Sequence, residues 1–219
     1  MSKTHIYLMP GLAAGPEIFE NLELSKKRYE LHYLTWLPPL SLKETVANYA
    51  MRISDMIIHK NPVLVGVSFG GIIVQEMSKF INVQKIIIIS SVKSKNELPK
   101  RFKIAAISKI YKLFPTTIVT NFENYAKYFV GKSLERKAKL YKKYLSVRNK
   151  EYIKWSIHNA INWNQDNPMP NIIHIHGTKD EIFPIKSIQN CIRVKNGNHS
   201  MIIIKAKEIS KIIDESLTC

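Results

Sequence analysis

The first candidate catalytic residue is a serine between two glycines, in Gly66-Val67-Ser68-Phe69-Gly70. An apolar run over Val63–Val67 precedes the serine, and an apolar pattern at helical spacing resumes at Ile72. This order predicts a buried strand that turns sharply into a helix. Glycines on both sides relieve the crowding of such a turn, so the hydroxyl of Ser68 would project from the strand's carboxyl end. The stretch is typical of a nucleophilic serine, although small residues after a strand also simply let a helix pack closely.

A nucleophilic serine needs a base to take its proton and a third group to orient that base. Asp180 comes just after the apolar strand segment Ile172–His176, and His199 comes just after the weaker strand segment Cys191–Val194. The carboxyl ends of parallel strands meet at one edge of a sheet, where ligands bind in open α/β sheets. The order Ser68, Asp180, His199, each after a strand, therefore predicts a shared site at that edge.

Asp180 and His199 also have non-catalytic interpretations. Asp180 could cap a helix that begins near Pro184, and Glu181 and Asp166 are rival acids. His199 could be an ordinary residue at the start of the last helix. The position of His199 after Gly197-Asn198 favours the catalytic reading.

Three segments together resemble an α/β-hydrolase. Gly66–Gly70 matches the nucleophile elbow, His176-Gly177-Thr178-Lys179-Asp180 with Pro184 matches the acid loop, and Gly197-Asn198-His199 matches the histidine loop. The resemblance covers both ends of the chain. It implies a three-layer α/β fold with a mostly parallel sheet, helices on both faces and an inserted helical cap.

The resemblance also implies a role for each of these residues. Ser68 would be the nucleophile, His199 the general base and Asp180 the partner that orients the base. The loop after the first strand would lend a backbone N–H to an oxyanion hole. By position, Leu12 and Phe69 are the expected donors, and Ala13 could take the place of Leu12.

The oxyanion loop of this family often begins His-Gly, whereas this chain has Pro10-Gly11. A backbone N–H makes the contact, so the missing histidine does not exclude the function. The strand that carries this loop is the first in the chain, so the family's first two strands are expected to be absent. No metal or organic cofactor is expected.

Apolar patterning predicts the elements that position these residues. Ser41 with Glu44 three positions later predicts a capping box that opens a helix through Val46 and Ile57. A short helix is predicted over Glu17–Leu24. The predicted strands are His5–Met9, Leu31–Trp36, Val63–Val67, Lys85–Ser90, Ile172–His176 and Cys191–Val194. An amphipathic helix is predicted after His199.

Between two of these strands the pattern turns entirely helical, which predicts a core of residues 1–91 and 168–219 and a helical cap over 92–167. The predicted cap helices are Arg101–Phe114, Phe122–Val130, Ser133–Val147 and Glu151–Trp163. Such an insertion would lie over the carboxyl ends of the strands.

The chain has a formal net charge of +16, and most of the excess belongs to Lys93–Lys154, with 17 Lys or Arg and four Asp or Glu. Within it, Lys100–Phe114 forms a basic amphipathic stretch. The charge could attract an anionic substrate such as a coenzyme A thioester or recruit the protein to anionic membranes. A solvated lysine-rich face with no partner is favoured. No nucleic-acid motif accompanies the charge, so specific nucleic-acid binding is not expected.

The remaining signals are weaker. The two cysteines, Cys191 and Cys219, form no disulfide framework. The N-terminus shows no signal-peptide pattern and no run of about 20 apolar residues, so a cytoplasmic location is expected.

His174 and His176 alternate on one strand and are expected to pack rather than bind metal, and His158 is expected to be a surface residue.

The favoured function is hydrolysis of a carboxylic ester or thioester of a modest apolar acyl group. Acyl transfer or C–C bond cleavage by the same three residues, a membrane-recruited lipase, and a non-catalytic ligand-binding protein are the alternatives. The sequence leaves the substrate and the oligomeric state open.

Overall fold

Six strands form one sheet in a computed structural model that describes residues 3–109 and 143–218. The strand order is β2-β1-β3-β4-β5-β6, and every neighbouring pair is parallel. The strands are β1 (Thr4–Met9), β2 (Tyr29–Tyr33), β3 (Val63–Val67), β4 (Lys85–Ile89), β5 (Ile172–Gly177) and β6 (Ile192–Val194). The predicted α/β class with a parallel sheet is confirmed.

Helices cover both faces of this sheet and produce three layers. The helices are α1 (Val46–Ser54), α2 (Phe69–Met77), α3 (Lys100–Ser108), α4 (Lys150–Asn162), α5 (Met201–Ile204) and α6 (Ala206–Thr218). One apolar cluster joins the sheet to α1, α2 and α4, and a second joins its other face to α5 and α6. Short 3₁₀ turns occupy Pro16–Phe19, Lys95–Glu97 and Ile185–Ser187.

The central strands β3 and β4 are apolar on both faces because both are covered. Val63, Val65 and Val67 point to the cluster that includes α6, whereas Leu64 between them points to the cluster that includes α2. The four isoleucines of β4 divide in the same alternating way. Runs of β-branched residues are what a strand buried on both faces requires.

The predicted capping box is wrong, because α1 begins later than the Ser41–Glu44 pattern indicates. Thr45 caps the helix, and its hydroxyl accepts the N–H of Asn48. The Glu44 carboxylate instead accepts the N–H of Leu40 and pairs with Arg52. The Glu44 carboxylate therefore does not make the return contact to Ser41 that a capping box needs.

The predicted helix over Glu17–Leu24 is also wrong. Only a single 3₁₀ turn forms, over Pro16–Phe19, and it buries Ile18 and Phe19. The second strand lies at Tyr29–Tyr33, slightly earlier than predicted.

The α-helices described between β4 and β5 are α3 and α4. Helix α4 closely matches the predicted Glu151–Trp163 helix, and α3 matches the first part of Arg101–Phe114. The predicted helix Phe122–Val130 and most of Ser133–Val147 lie outside the described residues. Within the described ranges, every helix is too short or too polar to cross a bilayer.

Candidate active site

The turn between β3 and α2 holds Ser68 in a backbone conformation that side-chain-bearing residues seldom adopt, with φ 53° and ψ −119°. Two close approaches explain the flanking glycines. A Cβ at Gly66 would collide with the backbone of Gly70, and a Cβ at Gly70 would collide with the carbonyl oxygen of Pro10. The turn is therefore packed directly against the loop after β1.

The structure brings the three predicted residues together at the carboxyl edge of the sheet. The Nε2 atom of His199 lies 2.9 Å from the Oγ atom of Ser68. The other ring nitrogen, Nδ1, lies 2.9 Å from Oδ2 and 3.1 Å from Oδ1 of Asp180. A carboxylate only accepts hydrogen bonds, so Nδ1 carries the proton and Nε2 is left to accept the serine hydroxyl.

Asp180 is held in place by its own loop. The side chain is fully buried, and Oδ1 accepts the backbone N–H groups of Ile182 and Phe183, each at 2.8 Å. Burial by itself opposes ionisation of this carboxyl, but the hydrogen bond and charge of His199 and the N–H of Phe183 outweigh it and lower the pKa of Asp180. The group is therefore an anion at neutral pH.

Both rival acids lie in exposed positions. The carboxylate of Asp166 pairs with Lys95 and is 66% exposed. Glu181 is exposed on the loop surface. Of the three candidates, Asp180 is the acid that contacts His199.

Two buried histidines lie behind the acid and form a hydrogen-bonded chain. His176 donates from Nε2 to the carbonyl oxygen of Phe183 at 2.8 Å, and its Nδ1 lies 3.0 Å from Nε2 of His174. Burial lowers the pKa of both imidazoles, so both are neutral at neutral pH. Both side chains are packed in the interior, as predicted. The hydrogen bond of His176 to Phe183 supports the loop that carries Asp180. His158 lies on α4 and does not line the cavity that contains Ser68.

The two predicted oxyanion donors lie at the cavity beside the serine. Leu12 and Phe69 both line the cavity that contains Ser68 and His199, whereas Ala13 does not. No acceptor among the described residues takes the backbone N–H of Leu12 or of Phe69. Both groups are therefore available to a bound oxygen.

The sequence analysis did not identify Trp36, which contacts both the loop after β1 and Phe69. Its indole N–H donates to the carbonyl oxygens of Gly11 and Ala14, both at 3.1 Å. Its ring also stacks on Phe69, with centroids 5.5 Å apart and planes 12° from parallel. A buried tryptophan needs a hydrogen-bond acceptor for its N–H. This requirement is the signal from which a structural role for Trp36 could have been predicted.

A cavity of about 580 Å³ opens beside the serine and is lined mainly by apolar side chains. Its walls come from the loop after β1, the loops that carry Asp180 and His199, and helices α3, α4 and α5. The apolar lining residues include Leu12, Ile18, Phe102, Leu145, Ile157, Ala160, Ile161, Phe183, Ile202 and Ile203. Its polar lining includes Ser68 and His199 together with Tyr144, Asn198 and Ser200.

Solved structures with low sequence identity share this fold. A hydrolase from Pseudomonas aeruginosa PA01 superposes with a TM-score of 0.68 at 12% identity, covering 99% of this chain and 91% of the other. A bromoperoxidase from Bacillus anthracis gives 0.66 at 15%, covering 100% and 93%. An esterase from Exiguobacterium antarcticum gives 0.65 at 15%, covering 100% and 93%.

The sequence matches no protein-family model and no curated protein sequence. The likeness is therefore one of architecture, and it agrees with the parallel six-stranded sheet and its flanking helices. This chain has the α/β-hydrolase fold.

Proposed function

We propose that the protein is a serine hydrolase that cleaves a carboxylic ester or thioester through an acyl-enzyme on Ser68. One observation carries the proposal: Nε2 of His199 lies 2.9 Å from Oγ of Ser68 while Nδ1 of the same ring is held by Asp180. This is the geometry in which a neutral imidazole can accept the serine proton.

In the first half of the reaction, Oγ of Ser68 attacks the carbonyl carbon as its proton passes to Nε2 of His199. The carbonyl oxygen becomes an oxyanion that the N–H groups of Leu12 and Phe69 stabilise. The buried carboxylate of Asp180 stabilises the imidazolium that forms. Collapse of the intermediate breaks the bond to the alcohol or thiol, which leaves with the proton from His199.

In the second half, water attacks the ester carbonyl of the acyl-enzyme. His199 accepts a proton from that water and then returns one to Oγ of Ser68 as the acyl–oxygen bond breaks. The products are a carboxylic acid and the free enzyme, so atoms and protons balance without any further reactant.

The size and apolar lining of the cavity favour a substrate with an apolar acyl group. Its volume of about 580 Å³ lies within the range of small-molecule pockets. Aliphatic side chains from α4 and α5 form much of its wall, so an acyl chain would replace water against apolar surface. Similar folds named as an esterase and a hydrolase agree with this class of reaction.

The direct test compares wild type with Ser68→Ala on p-nitrophenyl esters and acyl-CoAs of increasing chain length. We expect wild type to hydrolyse at least one series and to be labelled by a fluorophosphonate probe, and Ser68→Ala to lose both properties. Ser187→Ala is the matched control, because Ser187 lies on the turn Ile185–Ser187, which has no buried residue, and does not line the cavity. Equal labelling of wild type and Ser68→Ala would refute the proposal.

The same assay separates the alternatives. Product analysis with an added alcohol or thiol acceptor distinguishes hydrolysis from acyl transfer. Tight ligand binding without turnover across both substrate series would indicate a non-catalytic protein. Activity that appears only with vesicles of anionic lipid would indicate a membrane-recruited lipase.

A further inference from the structure

A cluster of three histidines lies toward the amino end of the sheet. His5 is on β1, His32 is on the neighbouring β2, and His59 is in the loop between α1 and β3. In the β1–β2 register, His5 is opposite Glu30 and Tyr7 is opposite His32, so the two strand histidines are diagonal neighbours on one face. At about 3.3 Å per residue, His5 is about 13 Å along β1 from Met9, where the oxyanion loop begins.

The three imidazoles are in mutual contact. Nδ1 of His5 lies 3.1 Å from Nε2 of His32, and the rings of His5 and His59 stack with centroids 3.5 Å apart. Each residue offers one ring nitrogen, and these three atoms all lie within 4.8 Å of one another. The side chains of His5 and His32 are 27% and 23% exposed, so solutes can reach them.

We propose that His5, His32 and His59 bind a divalent transition-metal ion, with Zn²⁺ as the expected occupant. Zinc holds histidine nitrogens at about 2.0–2.1 Å in tetrahedral geometry, which places two ligand nitrogens about 3.3 Å apart. The observed 3.1 Å between His5 and His32 is close to that spacing. Neutral imidazole is also a ligand class that zinc, copper and nickel favour.

Two neighbours complete the site. The Tyr7 hydroxyl lies 2.7 Å from Nδ1 of His59 and accepts the N–H of Ile58 at 3.2 Å, so it fixes one nitrogen of His59 and leaves Nε2 for the ion. Oxygens of the Glu30 carboxylate lie 3.9 Å from Nδ1 of His5 and 4.0 Å from Nε2 of His32. A small movement of this half-exposed side chain supplies a fourth ligand.

The site requires one local rearrangement. The ring planes of His5 and His59 are 10° from parallel, and a metal lies in the plane of each imidazole that binds it. His59 must therefore tilt out of the stack about its contact with the Tyr7 hydroxyl, which its position in a loop allows. Binding would tie the α1–β3 loop to β1 and β2, so we expect a structural effect that is independent of the chemistry at Ser68.

The test is a Co²⁺ and Zn²⁺ titration of the full chain without a histidine tag. Wild type should bind one equivalent, Co²⁺ should show the visible absorption of a tetrahedral site, and Zn²⁺ should raise Tm. His32→Ala and His59→Ala should each weaken binding at least about tenfold, and Tyr7→Phe, which removes only a supporting hydroxyl, should weaken it about tenfold. His158→Ala is the matched control on α4 and should bind like wild type.

Absence of saturable binding by wild type would overturn the proposal, as would equal affinity in wild type and His59→Ala. If His32→Ala does not fold, His59→Ala decides the question, because His59 belongs to a loop rather than a strand. The binding measurement needs no substrate, so its failure leaves the proposed hydrolase activity standing.

Discussion

At the scale of single residues, the site depends on one imidazole with two different neighbours. His199 gives its Nδ1 proton to a buried anion and offers Nε2 to Ser68. The anion is kept ionised in spite of burial because His199 and two backbone N–H groups surround it. Removing the negative charge would therefore affect the ring's tautomer as well as the imidazolium's stability.

The first prediction concerns Asp180→Asn. An amide can donate to Nδ1 and so favours the wrong tautomer, which leaves Nε2 protonated and unable to accept the serine proton. We expect kcat for ester hydrolysis to fall by about 10³–10⁴-fold, with KM changed little. Glu181→Gln changes the adjacent exposed acid in the same way and should retain activity. Equal rates for the two variants would contradict the role of Asp180.

At the scale of elements, the proposed oxyanion pocket lies where the loop after β1 meets the first turn of α2. The close contact of Gly70 with Pro10 brings them together, and Trp36 links them on the other side. The indole N–H binds two carbonyl oxygens of the loop, so it sets the direction of the intervening peptide groups.

The second prediction concerns Trp36→Phe, which keeps an aromatic ring against Phe69 but removes the N–H that Gly11 and Ala14 share. We expect the loop to relax and kcat to fall about tenfold or more, with KM nearly unchanged, because oxyanion contacts strengthen in the transition state. The matched control is Trp163→Phe, which removes a buried indole donor to Glu76 away from the cavity. The control should lose stability but retain kcat; similar kcat values for both variants would exclude the positioning role.

The third prediction concerns the wall that α4 contributes to the cavity. Ala160→Phe would place a large ring among Ile157 and Ile161, so the space for an acyl chain would shrink. We expect kcat/KM for octanoyl esters to fall at least about tenfold while acetyl esters change by less than about threefold. Lys154→Phe introduces the same ring at an exposed position of α4 and should leave the chain-length profile unchanged. A uniform loss on all chain lengths would argue against this wall as the acyl site.

At the scale of the whole molecule, several basic side chains make contacts within the protein. Lys93 is buried and pairs with Glu97, and Lys143 pairs with Glu20. Arg101 donates to two carbonyl oxygens of the acid loop. These contacts favour structural uses for several charges of the basic segment, and an anionic partner stays a hypothesis that the vesicle assay addresses.

The fourth prediction concerns the pH dependence of stability. Burial lowers the pKa of His174 and His176 in the folded state, whereas unfolded histidine titrates near 6.5. Below about pH 6.5 the unfolded state therefore binds more protons, and the free energy of unfolding decreases as pH falls. Each imidazole contributes up to about 1.4 kcal/mol per pH unit in that window.

Urea denaturation between about pH 5.5 and 8 measures this slope for wild type and His174→Gln. The variant should be less stable at pH 8 yet show a shallower decline on acidification, because one buried proton acceptor is gone. Identical slopes in the two proteins would show that His174 does not titrate between folded and unfolded states.

Local patterns were sufficient for the elements that hold the site. The apolar runs of β3 and β4 are continuous because both faces are covered, and Gly66 is required by the close approach of the Gly70 backbone four positions later. The start of α1 could not be read in this way, because Ser41 and Thr45 both suit a helix N-terminus. In the structure Thr45 caps the helix, and Glu44 contacts Arg52 and Leu40 instead of Ser41.

The sequence by itself determined the strand–turn–helix at Ser68, the order of Ser68, Asp180 and His199, and the α/β class, because these follow from short-range periodicity and turn chemistry. Only the tertiary structure decided which side chains meet. Ser68 and His199 are 131 positions apart, and the donor Trp36 and the cluster of His5 with His59 likewise join distant segments. Such contacts depend on strand order, register and the packing of loops at the sheet edges, none of which leaves a periodic signal along the chain.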